Sequence, residues 1–393
     1  MLALLLLAAA QDPGGIVLTK GDNQITLGAA LRFRSEWRDP SLATTGSNSD
    51  TFSLGRFRAH FDYALNDKAS AFLQFQETVM PDGVPSADTL HQAYGRLHDV
   101  YGLADLQVGR FEMNYGGELL ISPGDWSPTG TAFDGVRVGR GGEGYQVDFF
   151  LTQPVEGQGV PVGMDQAFYG FYGTFHQNAS RYEAYVLARD DRHDASAGTD
   201  DITFGGRYLW KQQDGFDFMV EAALQTGDHG ASDAAGALFT ADLAHPVGED
   251  VGVGLNVLYA SGDGDPADGD DDAFQPLYNT AHKFVGKSDL FRVTNVLDVQ
   301  PYVSFNAPQG WKLIGAVHLL TLADDDGALP DLRGGMVKAP GEGDLGIQLE
   351  VLAWKTIFEE IDLHLGVSQF LAGDAIANGD DQLWAMVQLQ FFI

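Results

Sequence analysis

Residues 24–38, QITLGAALRFRSEWR, decide the fold, because apolar and polar side chains alternate along this stretch one by one. Leu31 and Phe33 fall on one parity, whereas Arg32 and Arg34 fall on the other. Successive side chains of a β-strand point to opposite faces, so the pattern predicts a strand with one apolar face and one polar face.

The same alternation recurs along the whole chain. Residues 51–65 and 180–189 repeat it, and about 18 such segments of roughly ten residues can be counted. A tilted strand of that length crosses the apolar layer of a bilayer. Each segment is therefore a candidate transmembrane strand.

The connectors between these segments alternate between long and short. They are long at 39–50 and 80–89 and short at 66–67 and 99–102, and the rule continues with a long connector at 227–235. Outer-membrane barrels have long extracellular loops and short periplasmic turns. The predicted fold class is all-β, a transmembrane antiparallel β-barrel of about 18 strands with that arrangement of loops. The alternative is a soluble antiparallel protein whose apolar faces form a core.

Composition restricts the function further. The chain has 393 residues, a formal net charge of −32 and no Cys. Binding to nucleic acid requires an excess of Lys and Arg, which this acidic chain lacks, so we exclude nucleic acid as a partner. The lack of Cys excludes disulfides, Cys-ligated metals and thiol catalysis. No Gly-x-Ser-x-Gly or His-Glu-x-x-His motif occurs, and the His residues lack a second ligand at a fixed spacing, so we predict that the protein is not an enzyme.

The N-terminus has the features of an export signal. Residues 1–7 are almost all Leu and Ala, and Ala8, Ala9 and Ala10 follow as small residues that a signal peptidase accepts. No Lys or Arg precedes the apolar run, so we interpret residues 1–10 as a remnant or truncated signal peptide. The alternative is a buried N-terminal helix. Residues 11–393 are then expected to form a single outer-membrane barrel domain.

Several blocks of sequence match a known pattern. Residues 108–116 read VGRFEMNYG, residues 131–137 read TAFDGVR, residues 259–270 read YASGDGDPADGD and residues 344–350 read DLGIQLE. Shorter matches lie at residues 125–126, 282–284 and 289–291. In their order and spacing, these blocks resemble the alginate export family of outer-membrane β-barrel porins. Two positions depart from the family pattern: Leu119 replaces the usual Arg, and Ala281 stands where Gly is commoner.

The resemblance implies a barrel in the outer membrane of a Gram-negative-type bacterium, surrounded by outer-membrane lipid. It implies a porin-like channel for passive passage of small polar or anionic solutes, or of an anionic polysaccharide such as alginate. A monomer is favoured over a trimer. Two alternatives stay open: a general diffusion porin for small hydrophilic nutrients and, more remotely, an acidic surface or adhesion protein.

Charged residues on the predicted lumen face are the candidate solute contacts. The candidate pore-lining residues are Arg32, Arg34, Arg56, Arg58, Arg96, Arg110, Arg137, Arg181 and Arg207, with the acids Glu36, Asp62 and Glu183. Guanidinium groups suit carboxylates, so rows of Arg favour an anionic solute. The alternative is that the Arg pair with neighbouring acids and fill the lumen. Later strands carry acids such as Asp242 and Glu350, so we expect a lining that is half basic and half acidic.

Two long connectors receive separate predictions. Residues 111–132 contain Gly and Pro and lie between Arg110 and Arg137, so they either fold inward as a constriction or cap the rim. The candidate metal ligands are Asp263, Asp265, Asp268 and Asp270, whose oxygens suit Ca²⁺. The alternative for this segment is a solvated acidic loop. No other cofactor is expected.

Overall fold

The computed structural model describes most of the chain. The described ranges are residues 15–40, 49–79, 90–156, 166–191, 198–212 and 215–393. The predicted signal peptide, residues 1–10, lies outside them, as do residues 41–48 of the long connector predicted at 39–50 and the whole of the one predicted at 80–89.

Within these ranges, eighteen antiparallel strands close into a barrel, which confirms the predicted fold class. The barrel strands are β2 (Asn23–Asp39), β3 (Asp50–Leu65), β4 (Ala69–Val79), β5 (Leu90–Val100), β6 (Ala104–Phe111), β7 (Phe133–Gly142), β8 (Tyr145–Pro154), β9 (Gln166–Gln177), β10 (Ser180–Asp191), β11 (Thr199–Lys211), β12 (Asp217–His229), β13 (Ser232–Pro246), β14 (Val251–Ala260), β16 (Val296–Ala307), β17 (Trp311–Thr321), β18 (Asp344–Ile357), β19 (Ile361–Ala372) and β20 (Gln382–Phe392). Two short strands, β1 (Ile16–Lys20) and β15 (Asp270–Asp271), pair with β2 and β13. Each barrel strand pairs with its neighbours along the chain, and β20 returns to β2, where Phe392 lies opposite Ala30.

The barrel is apolar outside and polar inside. Along β2, Phe33 exposes 51% of its surface, whereas its neighbours Arg32 and Arg34 expose 2% and 3%. A soluble sheet would bury its apolar face and expose its polar face. The reversed arrangement is that of a barrel whose outer surface contacts lipid, so the soluble alternative does not hold.

The alternation of connector lengths holds in the structure with one correction. The predicted long connector at 227–235 is a tight turn, because β12 and β13 stay paired up to His229 and Ser232. Gly230 has a φ of 64°, a left-handed conformation that glycine adopts without a steric penalty. At the long-loop end, β12 and β13 are therefore joined by a hairpin turn where the sequence predicted a long loop.

Three long loops fold back into the barrel from that end. We name them loop A (residues 112–132), loop B (residues 261–295) and loop C (residues 322–343). Loops A and B join through a parallel bridge between Ile121 and Tyr278. Their apolar side chains pack against inward-facing wall residues such as Phe168 in a continuous buried cluster. Loop A therefore folds inward, as one of the two sequence interpretations predicted, and two cavities remain beside β2, β3 and β18–β20.

Helices contribute little to the described part of the chain. The two helical turns, Ala281–Lys283 and Pro308–Gly310, have three residues each. None of the helices in the described ranges is long and apolar enough to cross a membrane.

Candidate functional site

A row of inward-facing arginines descends the wall formed by β2 and β3. It consists of Arg38, Arg34 and Arg32 on β2 and of Arg56 and Arg58 on β3. Inward positions of a strand recur every second residue, about 7 Å apart, and neighbouring strands lie about 4.8 Å apart. Arg32 and Arg56 are direct cross-strand partners. All but Arg58 expose less than 5% of their surface, and the Arg58 side chain exposes 11%.

Carboxylates hold these like charges together, and the first is Glu36. One of its oxygens lies 2.9 Å from Arg34 Nε, and the other lies 2.6 Å from Arg38 Nη2. The Trp384 indole N–H also donates to Glu36, at 3.0 Å. Glu36 contacts both Arg34 and Arg38, so at the outer end of the row two guanidiniums share one carboxylate.

The second carboxylate, Asp125, comes from loop A. Its oxygens lie 2.6 Å from Arg56 Nη2, 3.6 Å from Arg58 Nη1 and 3.7 Å from Arg32 Nη1. Burial would raise the pKa of Asp125, but Arg56, Arg32 and Arg58 together outweigh burial and hold that pKa well below its usual range. Asp125 is therefore ionised at any physiological pH and acts as the counter-charge of the middle of the row.

The rest of the loop A tip, residues 124–130, meets the wall through its backbone carbonyls. Arg32 donates to Ser127 O at 3.1 Å, Arg34 to Trp126 O at 2.8 Å, Gln76 to Thr129 O at 2.8 Å and Thr78 to Pro128 O at 3.2 Å. Donors of the barrel wall thus satisfy carbonyl groups that no strand pairs, which keeps a polar loop inside the lumen.

Trp126 lies between two cationic or potentially cationic groups. The Arg34 guanidinium carbon is 3.5 Å from the ring centroid, and the His282 ring stacks at 3.5 Å with an interplanar angle of 10°. At these distances the two groups must occupy opposite faces of the indole. Burial lowers the pKa of His282, so the neutral imidazole is favoured in this stack.

Asp289 fixes the stack from the side. Its two oxygens accept hydrogen bonds from Trp126 Nε1 at 2.7 Å and from His282 Nδ1 at 2.8 Å. Arg333 of loop C donates to the Asp289 backbone oxygen at 2.9 Å. One residue therefore ties loops A, B and C together beside the Trp126–His282 stack.

This tie separates two cavities. The outer one has a volume of about 700 Å³ and is lined by the cations Arg34, Arg38 and Arg333 and by the acids Glu36, Asp50 and Asp289, among others. The inner one, of about 100 Å³, is lined by Arg32, Lys287, Trp354, His364 and Gln390 among others. Trp126, Thr280 and His282 line both cavities, so they form the partition between them.

The outer cavity contains buried donors without acceptors. Nε and Nη1 of Arg38 and Nδ2 of Asn279 have no hydrogen-bond partner within the described ranges. Arg38 is 2% exposed, and an unsatisfied buried donor costs free energy. These N–H groups suit the oxygens of a bound solute, above all a carboxylate.

Buried acids lie on the wall formed by β13, β16 and β18. Asp298 on β16 and Glu350 on β18 flank His318, with N···O distances of 2.6 and 3.5 Å. The backbone N–H of Lys287 donates to Glu350 at 3.1 Å, which holds loop B against this wall. Asp242 is buried on β13 as well. Buried acids of the later strands thus share the lumen with the arginines of the row.

The other inward-facing candidates lie away from the row. Arg96 and Arg137 both donate to the side-chain oxygen of Gln107, at 2.7 and 2.6 Å. Glu183 contacts Arg181 and lies 3.4 Å from Arg207. Asp62 lies on the inward face of β3 and is half-buried.

Arg110 differs from the prediction, because it faces outward. It shares its parity with Val108, which is 49% exposed, whereas Gln107 and Phe111 are buried. Two of its nitrogens bond to the Asp134 carboxylate at 2.8 and 2.9 Å. Both residues stand at the long-loop ends of their strands, near the headgroups, where an outward-facing ion pair is tolerated.

The predicted calcium ligands do not converge on one point. The Asp263, Asp265 and Asp268 carboxylates each accept a backbone N–H two residues further on, at 2.9–3.2 Å. In the described part of the chain, no group of three or more His, Asp or Glu side chains is arranged to hold a metal ion. The carboxylates of Asp263, Asp265 and Asp268 therefore each stabilise a turn of loop B.

Sequence reasoning missed Arg38, Arg333, Trp126, His282 and Asp289 as members of the site. Arg38 has the parity of Arg32 and Arg34, so the alternation alone could have included it. Trp126, His282 and Asp289 lie in the short blocks that resemble a known family, which marked the segments without indicating their contacts. For Arg333 the sequence offers no comparable signal.

Comparison with known proteins agrees with this architecture. The sequence model of the family described as alginate export matches residues 23–387. The chain belongs to the alginate export family. It is an outer-membrane, porin-like channel, as the outward apolar belt and the polar lumen require. A comparison with curated proteins gives no match.

Solved structures of outer-membrane channels share the fold of this alginate export family member. Pseudomonas aeruginosa OccK9 (OpdG) is 11% identical, with a TM-score of 0.69 over 94% of this chain and 98% of that one. OccK2 (OpdF) of the same organism, in complex with glucuronate, is 11% identical, with a TM-score of 0.67 over 93% and 98%. OpdK with vanillate is 10% identical, with a TM-score of 0.66 over 93% and 98%.

Proposed function

We propose that the channel admits small solutes that carry a carboxylate and that the arginine row guides them. The observation that carries this proposal is Arg38, which is buried at the outer cavity with two N–H groups free for an acceptor. Each free N–H of the guanidinium can donate a charge-assisted hydrogen bond to a carboxylate oxygen. Arg38 is thus the first binding position for an anion that enters from the long-loop end.

From Arg38 the row offers a sequence of equivalent positions. Arg34 lies four residues below Arg38, Arg32 with Arg56 two residues further, and Arg58, opposite Ala30, another two residues further along the wall. The whole descent covers about 27 Å at about 3.4 Å per residue. Because each step exchanges one guanidinium for another, no position binds so tightly that the solute is trapped. Weak binding at several sites is what conduction requires.

A small solute fits the space better than a polymer. The outer cavity of about 700 Å³ has the size of an ordinary ligand site, but the inner one has about 100 Å³. A polysaccharide must occupy the whole passage at once, including the partition formed by Trp126 and His282. Glucuronate and vanillate, with which two of the similar channels were solved, are both small carboxylates. We therefore place small carboxylates first and an alginate-like strand, which the family favours, second.

The passage lies within one barrel, so we propose that a monomer suffices for conduction. Every residue of the arginine row and of the partition belongs to the strands and loops of one chain. A trimer, if formed, would then multiply the conductance without changing the selectivity.

Single-channel recording in planar bilayers tests this proposal. We expect a reversal potential that favours anions and a current block by glucuronate but not by glucose. Arg38→Gln should weaken the glucuronate block by about 10- to 100-fold, since a hydrogen bond to a charged group contributes about 1.5–3 kcal/mol. The control is Arg140→Gln, whose side chain is 47% exposed near the short-turn end. A preference for cations that Arg38→Gln leaves unchanged would refute the proposal.

The same recordings separate the two candidate solutes. A polyuronate that crosses under voltage, at conditions where glucuronate neither blocks nor permeates, would favour the polysaccharide. Block by glucuronate with slow or absent passage of the polymer supports the small-solute function.

A further inference from the structure

The tip of loop A is attached to the barrel differently from the rest of that loop. Met113, Leu119 and Ile121 are at most 2% exposed and belong to the apolar cluster inside the barrel. Residues 125–129 are only partly buried and meet the β2–β4 wall through ion pairs and side-chain-to-carbonyl hydrogen bonds. The tip can therefore detach without disturbing the apolar packing that anchors its two ends.

Glycines bound this tip on both sides. Gly124 and Gly130 have φ values of 60° and 73°. A Cβ at Gly124 would lie 2.7 Å from Thr131 Oγ1, and one at Gly130 would lie 2.8 Å from Arg58 Nη2. Glycine is needed at both positions in the seated conformation, and it also gives the backbone the freedom to leave that conformation.

The seated tip uses the positions that the proposed function assigns to the solute. Asp125 presents a carboxylate to Arg56, Arg32 and Arg58 at 2.6–3.7 Å, and Trp126 completes the partition below the outer cavity. A solute carboxylate that reaches Arg34 must next bind the guanidiniums that Asp125 occupies. The two carboxylates are chemically alike, so they compete for the same donors.

We propose that residues 124–130 are a tethered plug in which the Asp125 carboxylate substitutes for the carboxylate of the solute. This inference rests on the proposed function, because it assumes that the row binds a solute anion. Arrival of a carboxylate at Arg32 and Arg56 displaces Asp125, releases the tip and carries Trp126 out of the partition. When the solute moves on, Asp125 returns and closes the passage.

Charge explains why such a plug opens for anions alone. If the tip left without a replacement, the buried guanidiniums of Arg32 and Arg56 would lose the carboxylate that contacts them, which is strongly unfavourable, whereas Arg58 would keep Glu112 at 3.2 Å. A neutral sugar cannot supply that charge, whereas a carboxylate exchanges one ion pair for another. The plug thus adds a selection for carboxylates to the one that the row itself exerts.

Asp125→Asn tests the plug in bilayer recordings. We expect the variant to spend more time in the conducting state and to be blocked by glucuronate at a concentration at least about 10-fold lower, because the internal competitor is gone. Asp125→Glu, which keeps the carboxylate, should behave like the wild type. Asp134→Asn, which removes an outward-facing carboxylate, is the matched control. A glucuronate affinity that Asp125→Asn leaves unchanged or lowers would overturn the inference.

A second variant keeps the test informative if Asp125→Asn does not assemble. Trp126→Phe removes the hydrogen bond to Asp289 but keeps an aromatic ring between Arg34 and His282 and leaves every charge paired. We expect it to raise the open fraction and to lower the blocking concentration of glucuronate; recordings identical to those of the wild type would contradict the plug.

The proposed function and the plug fail in different ways. If the wild type prefers cations and Arg38→Gln has no effect, the carboxylate function itself is wrong. If the wild type is anion-selective and Arg38→Gln weakens the block, but Asp125→Asn and Trp126→Phe change nothing, the function stands and the plug does not exist.

Discussion

Asp289 joins three loops at the partition between the two cavities, and its charge is expected to control how often the passage opens. Trp126 Nε1 and His282 Nδ1 donate to its two oxygens at 2.7 and 2.8 Å. Asp289→Asn keeps a single acceptor oxygen, so one of the two donors then faces an amide NH₂ group. We expect the variant to hold Trp126 less firmly and to increase the open-to-closed ratio of the channel.

The pKa of Asp289 gives the magnitude of this effect. Burial raises the pKa, but His282, Arg333 and the Trp126 N–H outweigh burial and lower it to about 2. When Trp126 has left the partition, we take the pKa of Asp289 to be that of an ordinary carboxyl. The pKa difference then corresponds to about 2 kcal/mol of free energy in favour of the closed state, in which Trp126 is in place and Asp289 is ionised. Loss of the charge should therefore raise the open-to-closed ratio by up to about 30-fold.

The sign of the pH dependence follows from the same pKa. A pKa that is lower in the seated state stabilises that state above the ordinary carboxyl pKa of about 4, and the stabilisation is lost as pH falls through about 2. The difference between wild type and Asp289→Asn should thus be constant at neutral pH and shrink below about pH 4.

Single-channel dwell times measured at neutral pH and then at decreasing pH check both expectations. Asp326→Asn is the control, because Asp326 lies exposed on loop C. Dwell times of Asp289→Asn equal to those of the wild type at neutral pH, or a difference that grows as pH falls below 4, would refute the reasoning.

Two further predictions concern stability in detergent, measured as the free energy of unfolding in urea. Phe168 is fully buried in the apolar cluster inside the barrel, so Phe168→Ala should lower the free energy of unfolding by about 3–5 kcal/mol. Phe171 is 43% exposed on the lipid side, so Phe171→Ala should lower it clearly less. Equal losses would contradict an apolar core inside the barrel. Asp228 lies directly opposite Asp200 and Asp233 on the outer face. In the absence of divalent cations, Asp228→Asn should therefore stabilise the barrel by up to about 1 kcal/mol. A loss of stability would show that these like charges are already compensated.

The strands and their two faces could be predicted from the sequence, because a period of two residues is a local property. Arg32 and Phe33 are assigned to opposite faces by their neighbours alone, and the structure agrees. Arg110 shows the limit of this rule. Alternation shows which residues share a face of the strand, but it does not show where the strand ends. Arg110 faces outward near its strand end, at the level of the lipid headgroups, and Asp134 neutralises its charge there.

The partition could not be predicted, because its contacts join distant parts of the chain. Trp126 and Asp289 are 163 residues apart, and no local pattern relates them. In the acidic segment 263–270 the carboxylates are close in sequence, and Asp is short enough to accept the backbone N–H two residues further on. The spacing of the acids alone did not indicate these turns.

A net charge of −32 is compatible with a passage for anions, because the field at the passage is set by the groups that face it. Acids such as Asp228 and Asp233 lie on the exposed outer face, where salt screens them over about 8 Å at physiological ionic strength. The arginines of the row are buried, and water and ions cannot screen them to the same extent. A carboxylate in the outer cavity therefore experiences Arg38 and Arg34 strongly and the distant acids weakly. Selectivity follows the local arrangement, and Asp125, the acid in direct contact with the middle of the row, affects it more than the many acids at the surface.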